Sequence, residues 1–203
     1  MRPGDDPVPS GCARVFDAGA GGATPERQWR VNELLDELTW RGLLHQSTSE
    51  SLGDHLAAEP RRGYVGFDPT ADSLTIGNLV PIMLLAHFQR AGHHPVVVMG
   101  GGTGLIGDPS GKSAERPLLT AGQVAQNVEA QRSIFERVLD FSASCDNRAE
   151  IVDNLDWLSR IGFIELLRDV GKHFSVDVRM QNESGSARLN EREHGISYSD
   201  FSY

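Results

Sequence analysis

The pattern that most constrains this chain is strand, helix, strand between residues 64 and 102. Pro95-Val96-Val97-Val98-Met99 is a continuous apolar run, and three glycines follow it at once. An uninterrupted run of β-branched residues suits a strand buried on both faces, as in a parallel sheet. Upstream, Ile76 to Ala91 is apolar at helical spacing, and Gly92 is placed to end that helix in a left-handed conformation. Before the helix, Tyr64-Val65-Gly66-Phe67 reads as a short strand that stops at Asp68-Pro69. Two strands joined by a helix through short connections make a βαβ unit, which is parallel with a right-handed crossover. The expected class is therefore α/β with a Rossmann-like parallel sheet.

Other elements flank this unit. Pro25 at a first helical turn, then Val31, Leu34, Leu35 and Leu38 at helical spacing, predict a helical N-terminal segment, with Trp40 and Leu43 less cleanly in phase. His45 to Ser51 reads as a loop and Leu52 to Glu59 as a short helix. Downstream, Gly122 to Phe141 predicts a long helix with Val124, Val128, Phe135, Val138 and Leu139 inward. Ala149 to Val152 predicts a third strand, Gly162 to His173 another helix, and Arg179 to Glu193 a polar connection. Ser197-x-x-Asp200 has the spacing of a helix-starting capping box. Residues 1–26, rich in Gly, Pro, Ala and Asp without periodicity, are expected to be a disordered extension.

Composition removes several function classes. No apolar run approaches the ~20 residues of a membrane span, and the N-terminus lacks the apolar core of a secretory signal. Cys12 and Cys145 are too few and too far apart for a zinc knuckle or a disulfide framework. These features point to a cytoplasmic protein. The formal charge is −9, with 17 Arg but only two Lys, Lys112 and Lys172. Phosphate affinity needs clustered positive charge, so the chain is no general nucleic-acid glove. His45, His55, His87, His93 and His94 show no metal-ligand spacing and read as surface or satisfied core residues; Trp29, Trp40 and Trp157 read as packing residues.

Two glycine patterns compete between Gly100 and Ser113. Gly102-x-Gly104-x-x-Gly107 fits a dinucleotide fingerprint and follows a strand, but that fingerprint needs a helix opening within its glycines. Here Asp108-Pro109 follows immediately and reads as a turn, and an acid at that place repels phosphate. Gly111-Lys112-Ser113 ends like a phosphate loop, yet Gly107 leaves three intervening residues where the loop needs four. Neither reading holds.

The same segments fit a larger pattern. Tyr64-x-Gly66-Phe67-Asp68-Pro69-Thr70-Ala71-Asp72-Ser73-Leu74-Thr75-Ile76-Gly77-Asn78-Leu79 resembles the first signature of bacterial tyrosyl-tRNA synthetases, class I enzymes that activate tyrosine with ATP. Thr103 to Lys112 resembles their second block; Asn154-x-Asp156-Trp157, Gly171 to Val176 and Gly195 to Tyr203 follow in the family's order. The resemblance covers about residues 28–203 and implies that 27–203 is an incomplete nucleotide-binding catalytic domain, the first half of a class I fold with the start of the connecting, dimer-forming segment. It implies ATP as substrate with Mg2+, L-tyrosine and tRNA(Tyr) as partners, and a homodimer. It also implies that residues 1–203 alone have impaired or absent activity, because the family's lysine-rich loop and tRNA-gripping domains are not in this sequence. The alternative is a degenerate paralogue that only binds ATP or tyrosine.

Residue by residue, the resemblance implies that Tyr64 meets the substrate phenol, that Asp108 and Tyr203 hold its ammonium, and that Asn154 supports that pocket. Asp68 positions both substrates, and Gly66, Thr75, Gly77 and Asn78 meet ATP. Thr70 contacts the departing pyrophosphate, and Lys112 and Arg116 lie near the phosphates. A helix N-terminus after a parallel strand gathers unpaired N–H groups and suits such phosphates. One departure stands out: the family's HIGH tetrapeptide reads Thr75-Ile76-Gly77-Asn78, so a short hydroxyl replaces an imidazole donor. Loss of one such donor costs about 2.7–4 kcal/mol of transition-state stabilisation. Each residue has a bland reading as well: Tyr64 and Tyr203 as packing aromatics, Asp68 and Asp108 as turn formers before proline, Thr70 and Asn78 as caps.

Overall fold

The structure, a computed structural model, describes residues 25–107 and 119–174. Residues 1–24 of the expected N-terminal extension, the polar connection from Arg179 and the capping box at Ser197 lie outside them, while Pro25 and Glu26 correct the extension's boundary because they are helical. The elements are α1 (Pro25–Trp40), α2 (Leu52–Ala58), β1 (Arg62–Phe67), α3 (Ile76–Arg90), β2 (His94–Met99), α4 (Gly101–Ile106), α5 (Ala121–Phe135), β3 (Glu150–Asp153), α6 (Leu155–Leu158) and α7 (Phe163–Glu165). A π-helical turn (Leu166–Val170) and a 3-10 turn (Gly171–His173) continue α7. The strands form one sheet in the order β1-β2-β3. His94 N–H donates to the Arg61 carbonyl and Gly100 N–H to the Phe67 carbonyl, both at 2.8 Å. The sequence offset is the same at both ends, so β1 and β2 run parallel. The α/β class with a parallel sheet is what the chain adopts.

Two compact units share these strands. The first takes the described residues up to Val65, with Leu74–Val97 and Arg132–Ile151. Its core joins Val31, Leu34 and Leu38 of α1 to Leu56 and Ala57 of α2 and to Ala91. The expected inward face of α1 is thus correct, and each such aliphatic contributes about 1.5–3 kcal/mol on burial. Trp40 and Trp157 correct the packing expectation: they are 78% and 43% exposed. Gly92 ends α3 as expected, at φ +92. Its N–H donates to the Gln89 carbonyl and that of His93 to the Phe88 carbonyl, a Schellman pair. The apolar contact that accompanies this motif is the Phe88 ring stacked on His93 at 4.5 Å. His93 is buried and accepts the Arg61 N–H on Nδ1 at 3.1 Å.

The second unit takes Gly66–Ser73, Val98–Gln131 and the described residues from Val152. Here a six-residue helix, α4, opens at Gly101, directly after the glycine that ends β2's run, where the sequence reading placed no helix. Helix α5 begins where Thr120 and Gln123 cap one another: Thr120 N–H and Oγ1–H donate to Gln123 Oε1, and Gln123 N–H donates to Thr120 Oγ1. It ends at Phe135, six residues short of its expected end. Leu139 kept helical spacing in the sequence because it is still buried, although a turn and not a helix carries it.

Candidate active site

In the second unit, the carboxyl ends of the three strands carry a connected set of polar side chains. Thr103 Oγ1 donates to Asp68 Oδ1 at 3.1 Å, and Asn154 Nδ2 donates to Thr103 Oγ1 at 3.2 Å. One hydroxyl therefore orients both the carboxylate after β1 and the carboxamide after β3. Asn154 is fixed further by its N–H to the Met99 carbonyl at 2.9 Å and by Oδ1, which accepts Gly102 N–H at 2.7 Å. Its neighbour Asp153 accepts Gly101 N–H at 3.0 Å and Leu155 N–H at 2.9 Å on Oδ1. A carboxylate held against backbone amides without a Cβ in the way explains the glycines here: a Cβ on Gly101 would stand 2.2 Å from Asp153 Oδ1.

This geometry changes the reason for rejecting a dinucleotide. A helix does open among these glycines, at Gly101. The pyrophosphate reading fails because the first amides of α4 are already occupied, by the Asp153 carboxylate and the Asn154 carboxamide. Sequence reasoning assigned no role to Thr103 or Asp153. The partners that tie them into the site lie 35 to 52 residues away in the chain, so no local spacing could show them.

Thr70 is exposed in the loop after β1, its N–H donating to the Asp68 carbonyl at 2.9 Å. Gly66 is exposed as well, and a Cβ there would meet open space. The second unit thus brings together Asp68, Asn154 and the unforeseen Thr103, with Thr70 two residues from Asp68.

The first unit holds the remaining described candidates. Tyr64 on β1 is 75% exposed. Thr75 precedes α3 with an extended backbone, and its N–H and Oγ1–H both donate to Asn78 Oδ1, at 2.9 and 2.8 Å. Thr75 and Asn78 are therefore a helix cap, the bland reading of Asn78. The Thr75 hydroxyl proton, which would have to serve a phosphate, is directed at Asn78. Gly77 is exposed in the first turn of α3. Asp108, Lys112, Arg116 and Tyr203 lie outside the described residues. Among the described residues no cluster of three or more His, Cys, Asp or Glu is arranged to hold a metal ion. Cavities of about 340 and 550 Å³ in the first unit are lined from α1 and α3 by side chains such as Glu33, Trp40 and Val80, and neither includes a predicted site residue.

A parallel sheet with nucleotide-type crossovers and polar groups at its strand ends defines a class, and comparison with known proteins agrees. Residues 56–203 match the class I tRNA synthetases of the W and Y type, and the chain belongs to that family. Within it, the chain is similar to the tyrosine–tRNA ligase of Opitutus terrae, 53% identical over 171 residues, covering 84% of this chain and 40% of the relative. It is also similar to the tyrosine–tRNA ligase of Roseiflexus castenholzii (52% identical; 85% and 40% covered) and tyrosine–tRNA ligase 1 of Bacillus subtilis (48%; 85% and 40%). The chain spans about two fifths of the length of these curated relatives. A C-terminally truncated mitochondrial tyrosyl-tRNA synthetase from Aspergillus nidulans shares the fold, with a TM-score of 0.69 at 23% identity over 88% of this chain and 55% of that one.

Proposed function

We propose that this chain is the N-terminal part of a tyrosine–tRNA ligase, which activates L-tyrosine with ATP and transfers it to tRNA(Tyr). In the first step a tyrosine carboxylate oxygen attacks the α-phosphorus of ATP. The bond to the bridging oxygen breaks, pyrophosphate leaves, and tyrosyl-adenylate forms. In the second, a hydroxyl of the terminal tRNA ribose attacks the tyrosyl carbonyl and AMP leaves. The observation that carries the reading is the Asp68–Thr103–Asn154 chain at the strand ends. A carboxylate aimed by a hydroxyl suits the capture of an amino acid's ammonium and not the binding of a pyrophosphate. The identity of about half to tyrosine–tRNA ligases supports the same substrate.

In this reading Asp68 and Asn154 shape the amino-acid pocket together with Asp108 and Tyr203, and Tyr64 pairs the substrate phenol. Gly66 and Gly77 leave room for the nucleotide, Thr70 contacts the phosphates, and Lys112 and Arg116 add positive charge beside them. Mg2+ enters with the nucleotide as its counter-ion. The setting is cytoplasmic and the whole protein a homodimer; for the described residues, no helix is long and apolar enough to cross a membrane.

A second reading, a synthetase-like chain that binds but does not activate, is favoured by one observation: the Thr75 hydroxyl donates to Asn78 instead of facing outward. Calorimetric titration of residues 1–203 with ATP and then L-tyrosine, paired with tyrosine-dependent ATP–pyrophosphate exchange, tests both. Saturable ATP binding with tyrosine preferred over phenylalanine is expected, without detectable exchange. Equal affinity for phenylalanine, or NADH binding in place of ATP, overturns the proposal; robust exchange removes the second reading.

A further inference from the structure

Two carboxamides of α5 reach the loop after β1, all within the second unit. Asn127 Nδ2 donates to the Pro69 carbonyl at 2.9 Å and Gln131 Nε2 to the Ala71 carbonyl at 2.8 Å. Residues four apart share one helix face, and here they hold the carbonyls on either side of Thr70. Thr70's own N–H is tied to the Asp68 carbonyl. The peptide group before Thr70 is thereby anchored at both its C=O and its N–H, and the Ala71–Asp72 peptide at its C=O, while the Thr70 side chain stays exposed with no hydrogen bond to a described residue. A trans peptide points its N–H opposite its C=O. Seating the two carbonyls on α5 therefore turns their negative ends away from the loop's open side.

Gln131 carries a second clue. It is 1% exposed, and its Oε1 is buried without a partner among the described residues. Burying a lone carboxamide oxygen is destabilising, and an apolar residue of the same volume avoids it. The bond to Ala71, not packing, is what a glutamine supplies at this place.

We propose that Asn127 and Gln131 are positioning residues for Thr70, holding the loop so that the Thr70 hydroxyl faces a ligand's phosphate. The role rests on the reading of Thr70 as a phosphate contact. Residues 1–203 carrying Gln131→Met, Asn127→Ala, Thr70→Ala and the pairwise combinations test it through two readouts. Without ligand, nuclear magnetic resonance of the Thr70 amide and methyl should show faster amide exchange and shifted signals in Gln131→Met and Asn127→Ala. By calorimetry, each of these variants should bind ATP about fivefold more weakly, the loss of one net hydrogen bond. Neither should weaken binding further once Thr70→Ala is present, because residues acting through one group are not additive. Gln131→Met removes a buried, partnerless oxygen and should melt no lower than the parent, so misfolding does not mask the result. Unchanged Thr70 signals, or the same fivefold loss in the Thr70→Ala background, overturns the proposal. If the parent binds no ATP, the functional reading fails while the Thr70 signals still decide the positioning role.

Discussion

A methyl group added at Gly77 would meet only the Thr75 Oγ1, at 3.6 Å, and nothing else within contact distance. Gly77 sits in a helix, where alanine outperforms glycine by about 0.5–1 kcal/mol through backbone entropy. The fold would therefore gain from Gly77→Ala, and a close-lying nucleotide is what opposes it. The expected outcome is a higher urea midpoint together with at least tenfold weaker ATP binding; a stabilised variant with unchanged ATP affinity would remove Gly77 from the site. His87 gives a pH prediction. Burial, then the charges of Arg90 and Arg41, hold its imidazole below the ordinary histidine value, against an upward pull from Glu37. The unfolded chain, with histidine near 6.5, then binds more protons than the folded one between the folded value and about pH 6.5. This contribution to stability is full above about pH 6.5 and is lost as the pH falls through that window. His87→Asn should flatten the pH dependence of the urea midpoint there; an unaltered slope would contradict the assignment. At this scale, the residues legible in the sequence were those that a contiguous block carries, Asp68 and Asn154 among them. Thr103 and Asp153 were not, because each gains its meaning from a partner on an element distant in the chain.

The C-terminal end of α3 shows how an element is finished by side chains from elsewhere. Gln89 Nε2 donates to the carbonyls of Asp140 and Asn147, and its Oε1 accepts the Asp140 N–H. Asn147 Nδ2 returns bonds to the carbonyls of Gln89 and His93. These bonds fix the turn between α5 and β3 against the helix end. Gln89→Ala should cost about 1–2 kcal/mol, since several of the bonds are solvent-accessible and each is worth ~1 kcal/mol or less. The urea midpoint should fall with an unchanged slope, and a change under 0.3 kcal/mol, a figure set by the ~1 kcal/mol scale of such bonds, would show that the turn stands without it. The same contrast explains which elements could be read in advance. Helix α3 carries its own stop at Gly92, and β2 its own apolar run, so both were visible locally. Helix α4 is built of Gly101-Gly102-Thr103-Gly104-Leu105-Ile106, half of them glycine, the poorest helix former after proline, and its opening amides are satisfied by Asp153 and Asn154. A helix capped from a distant strand leaves no mark in its own sequence.

Across the whole molecule, the parallel sheet was legible because a helix between two strands leaves almost no alternative to a right-handed crossover. The charge is legible too, and it bears on the partner that the proposed function needs most. Binding of a polynucleotide is driven by release of counterions from phosphates that lysine and arginine neutralise, so affinity follows clustered positive charge. This chain has 19 basic residues against 28 acidic ones, a net of −9, and lysine only at positions 112 and 172. Among the described residues, Arg41, Arg61, Arg62 and Arg168 are each paired with a nearby carboxylate, which lowers their value for phosphates. Residues 1–203 should therefore bind tRNA more weakly than ~10⁻⁴ M at physiological salt, the loose end of non-specific affinities. Electrophoretic mobility shifts with tRNA(Tyr) across a salt series measure this. Micromolar binding that falls steeply with salt would reveal an arginine cluster able to grip the backbone and would move tRNA contact into this part of the protein. Retention that is absent at every salt concentration would leave that contact to segments which the longer relatives possess and this chain does not match.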